Sequence, residues 1–248
     1  MKSVSVSHYD ASFIAQGYQL SGVTSIDGSY SITQAPINVL GFGYTTPTLS
    51  SPFVGNFSLE RNMLSRDPLL PYTGESYFNG AIGYDNKNFG FTSGYLTSYS
   101  ISCEIGSIPS ISNNISVFGE IGGDTKAWNQ ETTIQKSVDH PTLQIPQQGT
   151  IEVTCDGSSY NRIRAFSYSV SSDRDPIYTI NSSQPIQVNL RYPLEIDAVI
   201  MMEIDNYESR QAKDYLTSHS NDDITINIKD PADNSVIESY IIDSRTYL

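Results

Sequence analysis

Apolar and polar residues alternate along much of this chain, and a period of two predicts strands with one dry and one wet face. From Leu194 to Asp205, one face carries Leu194, Ile196, Ala198, Ile200, Met202 and Ile204. The other carries Glu195, Asp197, Val199, Met201, Glu203 and Asp205, so this strand has a core side and an acidic side. Tyr99, Ile101, Cys103 and Ile105 alternate in the same way with Ser98, Ser100, Ser102 and Glu104. Ile224, Ile226 and Ile228 alternate with Thr225, Asn227 and Lys229. The stretch Asp230-Pro231-Ala232-Asp233-Asn234 then supplies turn chemistry, and Val236 to Ile242 returns as a second strand. Asp85-Asn86-Lys87-Asn88 predicts a similar turn. Helical patterning is confined to Tyr207–Leu216, where a loop is the competing reading.

These elements repeat in order. Ser29-Tyr30-Ser31-Ile32 followed by Pro36-Ile37 matches Ser167-Tyr168-Ser169-Val170 followed by Pro176-Ile177. Downstream, Phe53, Gly55, Phe57 and Leu59 before Glu60 match Ile196, Ala198, Ile200 and Met202 before Glu203, and each set then reaches its hairpin turn. A third match, Ser98-Tyr99-Ser100-Ile101 with Ile108-Pro109, falls outside that order, as chance matches do in a chain rich in Ser and Tyr. The expected fold is all-β: two tandem barrel or sandwich units, the second duplicating the first, with at most one short helix each. The expected division is an N-terminal arm at 1–19, a first unit at 20–121, a linker at 122–148 and a second unit at 149–248. The second set has no counterpart to the hairpin from Gly94 to Ile121, so an open sheet edge is expected, to be covered or paired. Ser3-Val4-Ser5-Val6-Ser7 or the linker around Trp128 is the expected source of a covering arm.

Composition supports strands joined by turns, since 17 Tyr, 17 Gly and 12 Pro accompany a heavy load of Ser and Thr. The net charge of −13 disfavours ordinary phosphate binding, which needs cations to release counterions. It leaves room for a surface past which nucleic acid slides without sticking; the blander reading is solubility. Cys103 and Cys155 fit no metal or redox spacing and read as small buried hydrophobes, with a disulfide between them as the alternative. No apolar run approaches the roughly 20 residues of a membrane helix, and the first residues carry no apolar stretch of signal-peptide type, which predicts a cytosolic product. The sequons at Asn56, Asn114 and Asn181 have meaning only on a eukaryotic secretory route.

Catalytic constellations are not apparent. His8, His140 and His219 are scattered, with no metal-ligand spacing. The chain contains no G-x-S-x-G elbow, P-loop or dinucleotide glycine pattern. Asn221, Asp222 and Asp223 read as a turn, because the calcium-loop spacing is missing. Alternate acids on the Leu194–Asp205 strand would stand roughly 7 Å apart, a separation suited to glycoside hydrolysis. No Trp or Arg accompanies them to hold a sugar. The expectation is a protein without catalytic residues, metal or cofactor.

The segments Gly22-Val23-Thr24-Ser25, Pro36-Ile37-Asn38-Val39-Leu40-Gly41, Gly94-Tyr95-Leu96-Thr97-Ser98-Tyr99-Ser100-Ile101-Ser102 and Ala165-Phe166-Ser167-Tyr168-Ser169-Val170 to Asp175-Pro176-Ile177-Tyr178 resemble the tail-tube (major tail) proteins of long-tailed phages. The resemblance lies in style and element order across most of both halves. It implies a β-barrel or sandwich with a short helix, in subunits that close rings of six, or of three when duplicated, and stack into a tube conducting DNA. It also implies assembly in a bacterial host's cytoplasm and a place in the virion tail. The implied partners are other copies, a tape-measure protein, a terminator and passing DNA without specific contacts, and no membrane. The candidate channel-facing acids are Glu195, Asp197, Glu203, Asp205 and Glu60. Val54, Asn56, Ser58, Glu60 and Asn62 make a less acidic face in the first half, with Arg61 beside it. Rival readings are another tail or neck protein, such as a terminator or distal tail protein, and a β-sandwich glycan-binding module.

Overall fold

The structure of the chain, a computed structural model, describes residues 12–31, 34–37, 46–50, 52, 54–64, 66–84, 87–123, 149–155, 158–160, 162–180, 182–203 and 223–242. The strands are β1 Ser12–Ala15, β2 Tyr18–Gln19, β3 Val23–Ser31, β4 Gln34–Ile37, β5 Thr46–Ser50, β6 Val54–Asn62, β7 Phe78–Tyr84, β8 Lys87–Glu104, β9 Ser110–Val117 and β10 Ile121–Gly122. They continue as β11 Ile151–Cys155, β12 Ser158–Tyr160, β13 Ile163–Ser171, β14 Arg174–Ile177, β15 Gln187–Leu190, β16 Glu195–Met202, β17 Ile224–Lys229 and β18 Val236–Ile242. A 3₁₀ turn at Leu70–Thr73 is the one helical element among the described residues. The chain is all-β with antiparallel sheets, as alternation predicts.

β8, at 18 residues, organises the molecule. On one side it pairs with β9, from Gly94 opposite Val117 to Ser102 opposite Ser110, and with β10 at Phe91 and Gly90. On its other side the first half pairs with β7, ending at Gly94 opposite Phe78, and the second half pairs with β13, beginning at Ser98 opposite Ser171. The interval between those two neighbours is sealed by side chains. The carbonyl of Leu96 accepts bonds from Ser172 Oγ at 2.7 Å and from Arg174 Nη2 at 2.9 Å, and Arg174 also donates to the Gly74 carbonyl at 2.6 Å. A buried carbonyl left bare at this switch would be costly.

The stretches 12–104 and 151–242 follow one order of elements. The β1–β2 hairpin lays β1 on β7, and the β11–β12 hairpin lays β11 on β17. β3 pairs with β6 across the short β4–β5 hairpin, and β13 pairs with β16 across β14–β15. The β7–β8 and β17–β18 hairpins follow in turn. A bulge recurs at the start of each long pair, between Val23 and Ser25 and between Ile163 and Ala165. This register matches Val23 to Ile163, Ser29 to Ser169 and Leu59 to Ile200. It corrects the matches expected from the sequence, Ser29 to Ser167 and Leu59 to Met202, by a slip of one pleat. Such a slip leaves every side chain on its own face, so alternation cannot detect it.

The second stretch does not stand apart from the first. β13 and β16 extend the sheet of β3, β6, β9 and β8 into a ten-stranded array, and the sheet β12-β11-β17-β18 shares one apolar core with it. Residues 12–19, which fall in the arm expected from the sequence, form β1 and β2 on β7, because Phe13 is fully buried there. Cys103 is a free, buried thiol whose pKa burial pushes up to about 12, in keeping with a small hydrophobe. The turn at 230–234 forms as its residues require, with Asp230 Oδ1 accepting from the Ala232 amide at 2.7 Å and Asp233 Oδ1 from the Ser235 amide at 2.8 Å. The side chain of Cys155, the Tyr207–Leu216 candidate helix, Asp205, residues 1–11, the three histidines and linker positions 124–148 lie outside what the structure describes.

Between the two sheets lies a polar island. Arg61 (4% exposed) is ion-paired with Asp67 (1% exposed), and Asp67 Oδ1 accepts from the Leu69 amide at 2.7 Å. The Asp67 amide donates to Glu238 Oε2 at 2.7 Å, and the hydroxyls of Tyr99 and Tyr240 stand 3.2 Å apart. Burial pushes the Glu238 carboxyl up, and Arg66, 4.0 Å away and largely in solvent, opposes this weakly. An acid whose pKa rises on folding holds its proton more tightly in the folded chain. Its contribution to stability is therefore present at low pH and declines as pH climbs from the ordinary glutamate range through the raised value. Glu238→Gln keeps the acceptor and removes the titration. Urea midpoints of the wild type should fall over that interval more steeply than those of the variant; parallel pH profiles would assign the dependence elsewhere.

Candidate functional site

The face of the large sheet turned away from the core is built from short polar residues. Along β3, β6, β9, β8, β13 and β16, one cross-strand row reads Asp27, Ser58, Asn114, Ser98, Ser171 and Glu195. The next reads Ser25, Glu60, Ser112, Ser100, Ser169 and Asp197. Below it Asn62, Ser110, Ser102, Ser167 and Val199 align, and then Glu104, Ala165 and Met201. At the opposite margin Ser29, Asn56 and Ser116 run up to Tyr95, a buried ring packed against Tyr77 and Phe118. The rows exist because the strands alternate and the antiparallel registers keep parity across the joints, with an irregularity between Leu96 and Ser98 in β8 that leaves both Tyr95 and Ser98 on this face. A basin of about 410 Å³ is sunk in this face, its lining including Thr24, Glu60, Ser100, Ser112 and Ser169.

Several of these side chains bond to one another. Ser102 and Ser110 hydroxyls stand 2.9 Å apart, and Asn114 Nδ2 donates to Ser98 Oγ at 2.7 Å. Ser116 Oγ donates to Asn56 Oδ1 at 3.2 Å, and Ser25 Oγ reaches Glu60 Oε2 at 3.5 Å. The hydroxyls are thereby turned sideways along the sheet. The face offers a visitor carboxylates and hydroxyls, several of them already bonded to a neighbour, with no Lys or Arg in its rows.

Four of the five acids expected on a channel side are placed on this surface or at its edge, and Asp205 lies outside the described residues. Glu195 and Asp197 project from β16, and Glu60 from β6 between Ser25 and Ser112. Glu203 follows β16, its amide bonded to the Arg162 carbonyl at 2.9 Å, and borders a cleft with Glu104, Arg162 and Arg164. Acids and arginines meet at that margin. Arg61, expected beside the first-half face, turns into the core to meet Asp67, so it does not offset Glu60. Sequence reasoning did not foresee that the serines of β8, β9 and β13 join these acids in one surface. The alternation of Ser98, Ser100 and Ser102 with Ser167, Ser169 and Ser171 carried that signal.

Among the described residues no group of three His, Cys, Asp or Glu is placed to hold a metal. No protein-family model matches the chain, and no curated protein matches it. Among solved structures it is similar to a chain of the anti-feeding prophage baseplate (cryo-EM, sixfold symmetrised), with 12% identity and a TM-score of 0.33, covering 50% of this chain and 98% of that one. It is also similar to a chain from the tail of an empty GTA particle (helical refinement, C6 symmetry), with 9% identity and a TM-score of 0.30, covering 47% and 95%. Likenesses of that size assign this chain neither a family nor a role.

Proposed function

We propose that this chain is a structural, non-enzymatic subunit of a phage tail whose polar sheet face lines a DNA-conducting channel. The observation that carries the reading is the face itself: both stretches of the chain contribute to one surface of serines, asparagines and acids without a cation in its rows. Such a wall repels phosphates over about a Debye length of ~8–10 Å. Several of its hydroxyls are already bonded to a neighbour, which leaves DNA fewer groups to grip. The recurring element order suits a subunit that supplies two similar sectors of a ring, so three copies would close with pseudo-sixfold symmetry, or six with true sixfold symmetry. A tape-measure protein and a terminator would be the companions of such a tube.

Negative-stain images of the purified protein test this reading. Annular particles or stacked tubes with a central channel are expected; compact particles without a channel would overturn it. A second measurement addresses the face. Wild-type protein should leave a labelled duplex unbound, whereas Ser100→Lys/Ser112→Lys/Ser169→Lys should bind it, with log K falling linearly with log salt. Duplex binding by the wild type would sink the non-stick role.

A further inference from the structure

The polar island between the two sheets is incompletely bonded. Arg61 Nε, Asp67 Oδ2 and both amide atoms of Asn113, Nδ2 and Oδ1, are buried without a hydrogen-bond partner among the described residues. Asn113 is 0% exposed, although it stands on the apolar parity of β9 between Ile111 and Ile115. Its cross-strand neighbours are Leu59 and Tyr99. Arg61 is the next core-facing residue of β6 after Leu59, so it lies diagonally across from Asn113, a spacing that a long side chain spans. Tyr99 carries its hydroxyl to within 3.2 Å of that of Tyr240, and burial together with the Asp67 carboxylate pushes its pKa up. The orphaned atoms thus gather around Tyr99 and the Arg61–Asp67 pair.

We infer that this island is a hydration site, holding at least one internal water that bridges the Asn113 amide to Arg61 and Asp67. The chemistry of the four atoms selects the occupant. Arg61 Nε and Asn113 Nδ2 donate, whereas Asp67 Oδ2 and Asn113 Oδ1 accept. A cation would meet the guanidinium of Arg61, and an anion would meet the carboxylates of Asp67 and Glu238. Water is small and neutral, and it gives and takes hydrogen bonds at once. A buried water typically makes about three bonds to groups that would otherwise go unpaired, and a polar group left dry in a core is costly. Arg61 and Asn113 belong to the large sheet and Glu238 to the smaller one, so the water sits at their seam. The site does not depend on whether the chain builds a tube.

Crystals of the full chain, diffracting well enough to show ordered solvent, test this directly. Density is expected within about 2.7–3.2 Å of an Asn113 amide atom and of Arg61 Nε or Asp67 Oδ2. A direct bond from Asn113 to either residue, or a map with no density at that place, would overturn the inference. Asn113→Val gives a second readout, in which the sign decides. Valine is a good strand former and takes the amide away, so a dry site should become more stable and the urea midpoint should rise. A bridged site instead loses a partner for its water and strands Arg61 Nε and Asp67 Oδ2, so the midpoint should fall. A rise, or no change, would sink the hydration site; should the variant not fold, the density remains the judge.

Discussion

Replacing Arg61 with methionine should cost about 3–5 kcal/mol of folding stability, because it strands a buried carboxylate. Asp67 is 1% exposed and faces Arg61 as its cation, while Glu238 adds a second acid nearby. Methionine fills most of the guanidinium's volume, so the loss would report the uncompensated charge more than a cavity. Adding Asp67→Asn should recover most of it, since asparagine is neutral and its Oδ1 still accepts from the Leu69 amide. Urea denaturation of the wild type, the single variant and the double variant makes the comparison. Equal losses in the two variants would show that packing around Arg61, and not its charge, sets its value.

The second large effect is expected at Phe91. Its ring is fully buried, with the centroid 4.9 Å from Phe57 and 5.9 Å from Phe78. Two glycines make room for it: a Cβ at Gly80 would lie 2.4 Å from the ring, and one at Gly94 would lie 2.3 Å from it. A cleft shaped by missing side chains collapses poorly, so Phe91→Ala should cost about 3–5 kcal/mol by the same denaturation measurement. Gly94→Ala should also destabilise the chain, by about 1–3 kcal/mol from overpacking. Its cost should shrink in the Phe91→Ala background, where the obstructing ring is gone. Strict additivity of the two would contradict this account of the site.

Strand positions and faces were legible because alternation is a local signal. The acids of β16 fell on the side opposite Ile196 and Ile200, where the pairing with Phe166 and Val170 now places them. The exact correspondence of the two stretches was not legible, since moving Ser167 onto Ser29 instead of Ser169 preserves every face. Only hydrogen-bond register and the recurring bulge separate the two choices. The joint between β8 and β13 was likewise hidden, because strand neighbours far apart in sequence leave no periodic trace. Arg61 did leave one: it follows Phe57 and Leu59 on the apolar parity of β6, which points it inward. Its partners Asp67 and Glu238 come from distant segments, and no local pattern announces them.

The divided flank of β8 has a consequence for synthesis. The ribosome finishes Glu104 well before it reaches Ile163, and the intervening stretch of roughly sixty residues takes about 3–12 s at ordinary elongation rates. During that time β7 and β9 can already be in place, while the backbone from Ser98 to Glu104 waits without its long-range neighbour. Neighbouring nascent chains on one polysome would offer their own β13 to that waiting flank. Crowded translation therefore favours swapped dimers, in which each polypeptide lends the hairpin of β13 and β16 to another. Slowing initiation, so that ribosomes are spaced farther apart, should shift the yield toward chains that complete their own sheet.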